Sequence, residues 1–237
     1  MTKKRGKNFR ESQNKYEKSK QYSVPEAIKT VKELGWAKFR ESVDVALHLG
    51  INTKRSEEQV RGAVNLPHGT GKESKIVVFA QAEKAQEAKD AGADFVGAED
   101  IAEKIQKGWT DFDAAIATPD MMKIVGKLGR ILGPRGLMPN PKVGTVTNDI
   151  NEAVSSVKKG KVEYRADRFG IVHATIGKID FTEKQINENF RALMDAILKA
   201  KPASTKGRYI LSSSISSTMG PGIKMDPSKV MGWMENR

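Results

Sequence analysis

The stretch at residues 75–98, KIVVFAQAEKAQEAKDAGADFVGA, decides the fold. KIVVFA is a continuous apolar run, the pattern of a strand covered on both faces. EKAQEAKDAGA then reads as a helix closed by glycine, and DFVGA as a short second strand. EDIAEKIQKG is another helix with a glycine stop. DAAIATPDMMKIVGKLG is a strand entering a helix, with Thr118 as cap and Pro119 at its first position. Asn148 or Asp149 caps INEAVSSVKKG. Strands and helices alternating at this length predict a small doubly wound, Rossmann-like α/β domain.

Outside this block the texture changes. Upstream, Ser23 and Glu26 have capping-box spacing, and Ala27, Ile28, Val31 and Leu34 share one helical face. Val43, Val45, Leu47 and Leu49 alternate with Asp44, Ala46 and His48, and Val60, Val64 and Leu66 repeat that period of two, so two half-buried strands follow. Downstream, KVEYRA and GIVHATIG alternate around an ADRFG turn like a hairpin. Thr182 and Gln185 open a helix with Ile186, Phe190, Leu193, Met194 and Ile197 along one stripe, and GRYILSSSIS is the final strand. Neither flank alone has enough elements for a core; together they make an α+β domain. The expected organisation is a discontinuous α+β domain, 1–67 plus 160–230, with the α/β domain inserted at 68–159 and two adjacent crossings forming a hinge. The basic tail at 1–20 and the end at 231–237 are expected to be flexible.

Composition narrows the function. The chain of 237 residues has no cysteine, which excludes disulfides, thiolate zinc sites and cysteine nucleophiles. Its three histidines are scattered, and no cofactor or metal site is expected. No apolar run approaches the ~20 residues of a membrane span, and the N-terminus lacks the apolar segment of a signal peptide, so a cytoplasmic protein is expected. The net charge of +12 is uneven. Residues 1–20 carry eight Lys/Arg against two Glu, residues 73–120 five against eleven acids, and residues 121–148 five against none. Separated basic regions with one acidic block point to a polyanion bound on one side.

The residues 126–144, GKLGRILGPRGLMPNPKVG, form the most conspicuous basic stretch, with Lys127, Arg130, Arg135 and Lys142 among glycines and prolines. It lacks the order GxxxxGK[ST] and the GxGxxG fingerprint, so a nucleotide cradle is disfavoured. A structural loop and an RNA contact both remain open. Three other stretches suit RNA. SSTMGPGIK offers hydroxyls, a flexible Met219 and no acid. AKFRES places Phe39 between Lys38 and Arg40, either a stacking platform or a lid on the core. The EYRADRFGIVH turn carries Arg165, Arg168 and His173. Asp111, Asp113 and Asp120 are the best carboxylate cluster for a rival reading as an α/β enzyme, and solvated turns explain them as well.

LGRILGPRGLMPNPKVGTV, with NLPHGTGK, AGADFVGAED, ATPDMM and STMGP, resembles the bacterial large-subunit ribosomal protein L-one family, in order from about Ser23 to Pro227. The basic tail and the end VMGWMENR fall outside the resemblance. It implies a non-enzymatic, monomeric protein of the large subunit in which the discontinuous domain binds rRNA of the mobile stalk beside the tRNA exit site. It also implies contact with exit-site tRNA and repression of its own operon through a leader in the mRNA. The implied RNA surface comprises Lys38, Phe39, Ser42, Ser212, Thr218, Met219 and Gly220, with Arg165, Asp167 and His173 from the hairpin. Position 40 is acidic in some relatives and takes no transferred role. A general RNA chaperone is the remaining alternative.

Overall fold

A computed structural model describes residues 6–81 and 83–235. In chain order the helices and strands are α1 (Lys7–Asn14), α2 (Val24–Leu34), β1 (Ser42–Leu49), β2 (Arg61–Asn65), β3 (Ile76–Phe79), α3 (Glu83–Asp90), β4 (Phe95–Gly97), α4 (Glu99–Gln106), β5 (Ala114–Ala117), α5 (Met122–Lys127), α6 (Gly129–Leu132), α7 (Ile150–Lys158), β6 (Lys161–Arg165), β7 (Ile171–Lys178), α8 (Glu183–Lys199), β8 (Ile210–Ser217), β9 (Ile223–Met225) and α9 (Pro227–Glu235). The fold is mixed α/β with several sheets. Of the described residues, those up to Gly71 and from Val162 onward form one compact unit, and Lys72–Lys161 form the other.

In the discontinuous unit, β1 lies between β7 and β8, and β9 closes the far edge, giving the order β7-β1-β8-β9 with antiparallel neighbours. Val43, Val45, Leu47 and Leu49 point to the buried side of this sheet, where α2 and α8 cover it. Both helices start as their sequences dictate. Ser23 with Glu26, and Thr182 with Gln185, form reciprocal capping boxes that satisfy N–H groups a helix leaves free at its first turn. The apolar stripe of α8, from Ile186 through Phe190 and Leu193 to Ile197, is buried in this core. The opposite face of the sheet carries no helix-facing apolar row: along β1 it presents Ser42, Asp44, Ala46 and His48, all partly exposed.

The period of two places the strands correctly but misleads about one pairing. β6 and β7 are not a hairpin: β6 pairs with β2 in a separate two-stranded sheet, and only the bridge Ala166–Val172 links it to β7. Alternation shows which side of a strand is buried and is silent on its neighbour. GRYILSSSIS is also not the last strand, since β9 follows it.

The tail expected to be flexible is described from residue 6 onward. α1 buries Ser12, whose hydroxyl donates to Leu34 O at 3.4 Å, and Tyr16 packs against the core. At the other end α9 buries Val230 and sets Trp233 against Phe190, with the Arg191 guanidinium 4.9 Å from the indole centre. Residues 1–5 and 236–237 of those calls lie outside the described residues.

The inserted unit is a parallel sheet ordered β4-β3-β5. Val77 and Phe79 face α4, α5 and α6; Ile76 and Val78 face α3 and α7. All four residues of β3 are buried, the physical reason KIVVFA shows no alternation. The basic stretch is built into this unit. Leu128, Leu132 and Val143 are buried, and Thr145 Oγ1 accepts the Asn140 N–H at 2.8 Å while Asn140 Oδ1 accepts the Lys142 N–H at 2.8 Å.

One buried polar side chain closes the discontinuous core. Asn189, fully buried on α8, accepts the His68 N–H at 3.0 Å and donates to Gly69 O at 2.9 Å and Ile176 O at 2.8 Å. It ties the segment leaving β2 to both α8 and β7. Asn189→Ala should lower the stability of this unit by about 2–3 kcal/mol, because buried backbone groups lose their partners. Urea unfolding followed by tryptophan fluorescence in a Trp109→Phe background, which confines the signal to this unit, measures it; a loss below about 0.5 kcal/mol would contradict the role.

Candidate nucleic-acid interface

Among the residues singled out by sequence, Lys38, Phe39, Ser42, His173, Ser212, Thr218, Met219 and Gly220 lie on β1, β7 and β8 or in the loops at the ends of that sheet. At the first end, the loop from Trp36 to Arg40 enters β1, and Thr218–Gly220 leaves β8. Antiparallel pairing of β1 with β8 brings them together: Val43 lies opposite Ser217, and the Thr218 N–H donates to Ser42 O at 3.0 Å. Thr218 Oγ1 accepts the Ser42 N–H at 2.8 Å, and Lys178 Nζ on the neighbouring strand donates to Ser42 Oγ at 2.8 Å.

Behind this surface sits Glu41, which is only 1% exposed. Its Oε1 accepts the N–H groups of Trp36 at 3.1 Å and Ala37 at 2.8 Å, and its Oε2 accepts the Met219 N–H at 3.1 Å. The Ser217 hydroxyl adds a fourth donor. Burial pushes the pKa of this carboxyl up, but the Ser217 hydroxyl and the N–H groups of Ala37, Met219 and Trp36 together outweigh it and hold the group below its ordinary range. A single anion thus fixes two loops that are far apart in the chain. Sequence reading missed it: a glutamate among Lys38, Phe39 and Arg40 looks like one more surface charge, and its partners across the sheet are invisible until β1 and β8 pair.

What the clamp presents is exposed. Phe39 is 55% exposed and Met219 45%, and the Lys38 side chain also faces solvent. A Cβ at Gly220 would meet Ser217 Oγ at 2.4 Å, so any larger residue there would have to turn that hydroxyl away. Ser42 and Thr218 spend much of their hydrogen-bonding capacity on each other, so they shape the surface more than they project from it. Arg40 is drawn into an ion pair with Asp180 at 2.6 Å.

Down the sheet the open face continues as cross-strand rows. Asp44 lies between Thr175 and Ser216; Ala46 lies between His173 and Ser214, with Lys224 beyond on β9; His48 lies between Ile171 and Ser212. His173 and Ser212 therefore belong to the second end. The hydroxyl row Ser212, Ser214 and Ser216 is a polar track that only the strand pairing reveals. Arg165 is exposed but stands on β6, in the other sheet, and Asp167 folds into the turn before β7.

The inserted unit carries Lys127, Arg130, Arg135 and Lys142 exposed on its surface, with Arg135 hydrogen-bonded to Thr110. Two of the carboxylates that suggested an enzyme are occupied by lysines: Asp111 pairs with Lys75, and Asp113 with Lys72. That is an ion-paired sheet end rather than a poised acid and base.

A model of the ribosomal protein L1p/L10e family matches residues 27–221, a span that crosses both units and ends just past Gly220. The chain belongs to that family. It is accordingly a large-subunit ribosomal protein that binds rRNA, and its family is structural rather than enzymatic. Among the described residues no helix is long and apolar enough to cross a membrane.

A depressed folded-state pKa means that the contribution of Glu41 is complete above the unfolded value of about 4.3 and is lost as pH falls through the lower folded value. Glu41→Gln should therefore cost about 1–3 kcal/mol at neutral pH, where the amide turns a donor toward backbone N–H groups. The gap between wild type and variant should narrow as pH falls below about 4.3 and through the lower folded value. Urea unfolding over a pH series checks this; a gap that does not change with pH would contradict it.

Proposed function

We propose that the open face of the discontinuous unit is the rRNA-binding surface, and that its target is rRNA of the mobile stalk beside the tRNA exit site. The observation that carries this reading is the pair of loops locked by Glu41, one carrying Phe39 and the other Met219, both exposed to solvent. Phe39 offers a ring on which an unpaired base stacks, Met219 a polarizable surface for a sugar or base, and Lys38 a phosphate contact. Along the sheet the hydroxyls of Ser212, Ser214 and Ser216 suit 2′-OH groups and phosphate oxygens, and Thr218 shapes the end of that row. His173 and Arg165 add donors nearer the second end.

The proposal extends to two further partners. The same surface binds a leader in the protein's own operon mRNA that resembles the rRNA site, so the protein represses its own synthesis when rRNA is scarce. The basic stretch of the inserted unit, with Lys127, Arg130, Arg135 and Lys142, makes secondary phosphate contacts to exit-site tRNA and assists its release. The chain crossings at 71–72 and 161–162 serve as the hinge between the two activities.

Gel shifts of the whole protein at fixed salt, on a stalk rRNA fragment and on a scrambled RNA of equal length, test the reading. Met219→Ala and Phe39→Ala should each weaken stalk binding about 5- to 100-fold, on the scale of a lost stacking or anchoring contact, and leave scrambled-RNA binding nearly unchanged. Replacing Lys127, Arg130, Arg135 and Lys142 together should flatten the salt dependence of tRNA binding and spare the preference for stalk RNA. Equal affinity of wild type for stalk and scrambled RNA would instead mark a general RNA chaperone.

A further inference from the structure

We infer that Phe169 is a second base-stacking platform, placed at the far end of the sheet face from Phe39; this rests on the RNA-binding reading above. Phe169 is 66% exposed, the most exposed large apolar side chain among the described residues. Single exposed apolar residues are common and by themselves mean little. Here the backbone under the ring is built to hold it out.

Asp167 Oδ1 accepts two N–H groups, from Phe169 and Ile171, each at 2.8 Å. The Gly170 N–H donates back to Asp167 O at 3.0 Å, and the Asp167 N–H to Ile171 O at 2.9 Å. Gly170 has φ 78°, and a Cβ there would press on Leu49 O at 3.0 Å, so the turn requires glycine. Thr53 Oγ1 donates to Arg168 O at 2.7 Å and the Leu49 N–H to Gly170 O at 2.8 Å, which pins the turn to the chain leaving β1. The ring therefore sits on a preorganised turn, and stacking a base on it needs no loop ordering. The Arg168 guanidinium lies 5.2 Å from the ring centre, supplying positive charge beside the stacking site.

Its place on the sheet gives the ring a purpose. The turn abuts the end of β1 where His48 faces Ser212, whereas Phe39 precedes Ser42 at the other end. From Ser42 to His48 the strand runs about 20 Å at ~3.3 Å per residue. That is the length of roughly six nucleotides of a stacked strand at ~3.4 Å spacing. The loop at one end of this hydroxyl-lined row carries Phe39, and the turn at the other end carries Phe169. Asp167 itself is a positioning residue: the Ile171 N–H, then the Phe169 N–H and the charges of His173 and Arg168, hold its carboxyl below the ordinary range despite some burial. An anion so held repels phosphate and serves by shaping the turn.

The test uses the full chain and the stalk rRNA fragment. Phe169→Ala should weaken binding about tenfold, leave the slope of log Kd against log salt unchanged, and leave the melting temperature unchanged, since the ring packs on little. Phe169→Trp should restore wild-type affinity. A 5-iodouridine crosslink to the position-169 ring should map to an unpaired nucleotide distant from the one that Phe39 touches. Wild-type affinity in Phe169→Ala, while Met219→Ala still loses binding, would overturn this inference alone. So would a weakened Phe169→Ala that Phe169→Trp fails to rescue. Loss of stalk preference in the wild type would overturn the RNA reading beneath it.

Discussion

The surface depends on a charge hidden behind it. Removing a carboxylate from water costs several kcal/mol unless its oxygens are well satisfied. Glu41 meets that condition by collecting N–H groups from Trp36, Ala37 and Met219 together with the Ser217 hydroxyl. The satisfaction of the anion and the positions of the two loops are the same fact. Beyond the bonds between Thr218 and Ser42, each loop would otherwise keep the freedom of a surface connection. With both tied to one buried anion, the cost of ordering them falls on folding rather than on binding.

This arrangement separates holding from touching. Ser42, Thr218, Ser217 and Gly220 are tied up in one another and in the clamp. Phe39, Met219 and Lys38 are left facing solvent. At the other end Asp167 and Gly170 build, and Phe169 protrudes. In both places an acidic side chain works behind the surface proposed to bind RNA, with its charge met by backbone donors. The inserted unit follows a different logic: its basic stretch is carried on buried Leu128, Leu132 and Val143, so its composition reflects packing as well as charge.

What could be read from the residues was whatever is local. Ser23 with Glu26 and Thr182 with Gln185 are complete signals within four residues, and both helices begin there. The apolar run of β3 announced a strand covered on both sides, and it is. Readings failed where the deciding partner is distant. Strand alternation could not show that β6 joins β2 rather than β7. The candidate stretches around position 40 and position 219 are picked out by their residues and by resemblance to a family, with no physical link between them. The pairing of β1 with β8 supplies that link, and Glu41, 178 residues from Met219, is its hidden member.

Hydrogen exchange of the free protein at the Ala37 and Met219 amides tests the central claim most directly. If Glu41 builds the surface in advance, both amides exchange slowly without RNA, at rates close to those of neighbouring β1 amides, and become fast together in Glu41→Gln. Fast exchange of both amides in the free wild-type protein, with protection arising only on adding RNA, would show that the nucleic acid orders these loops and that the clamp does not.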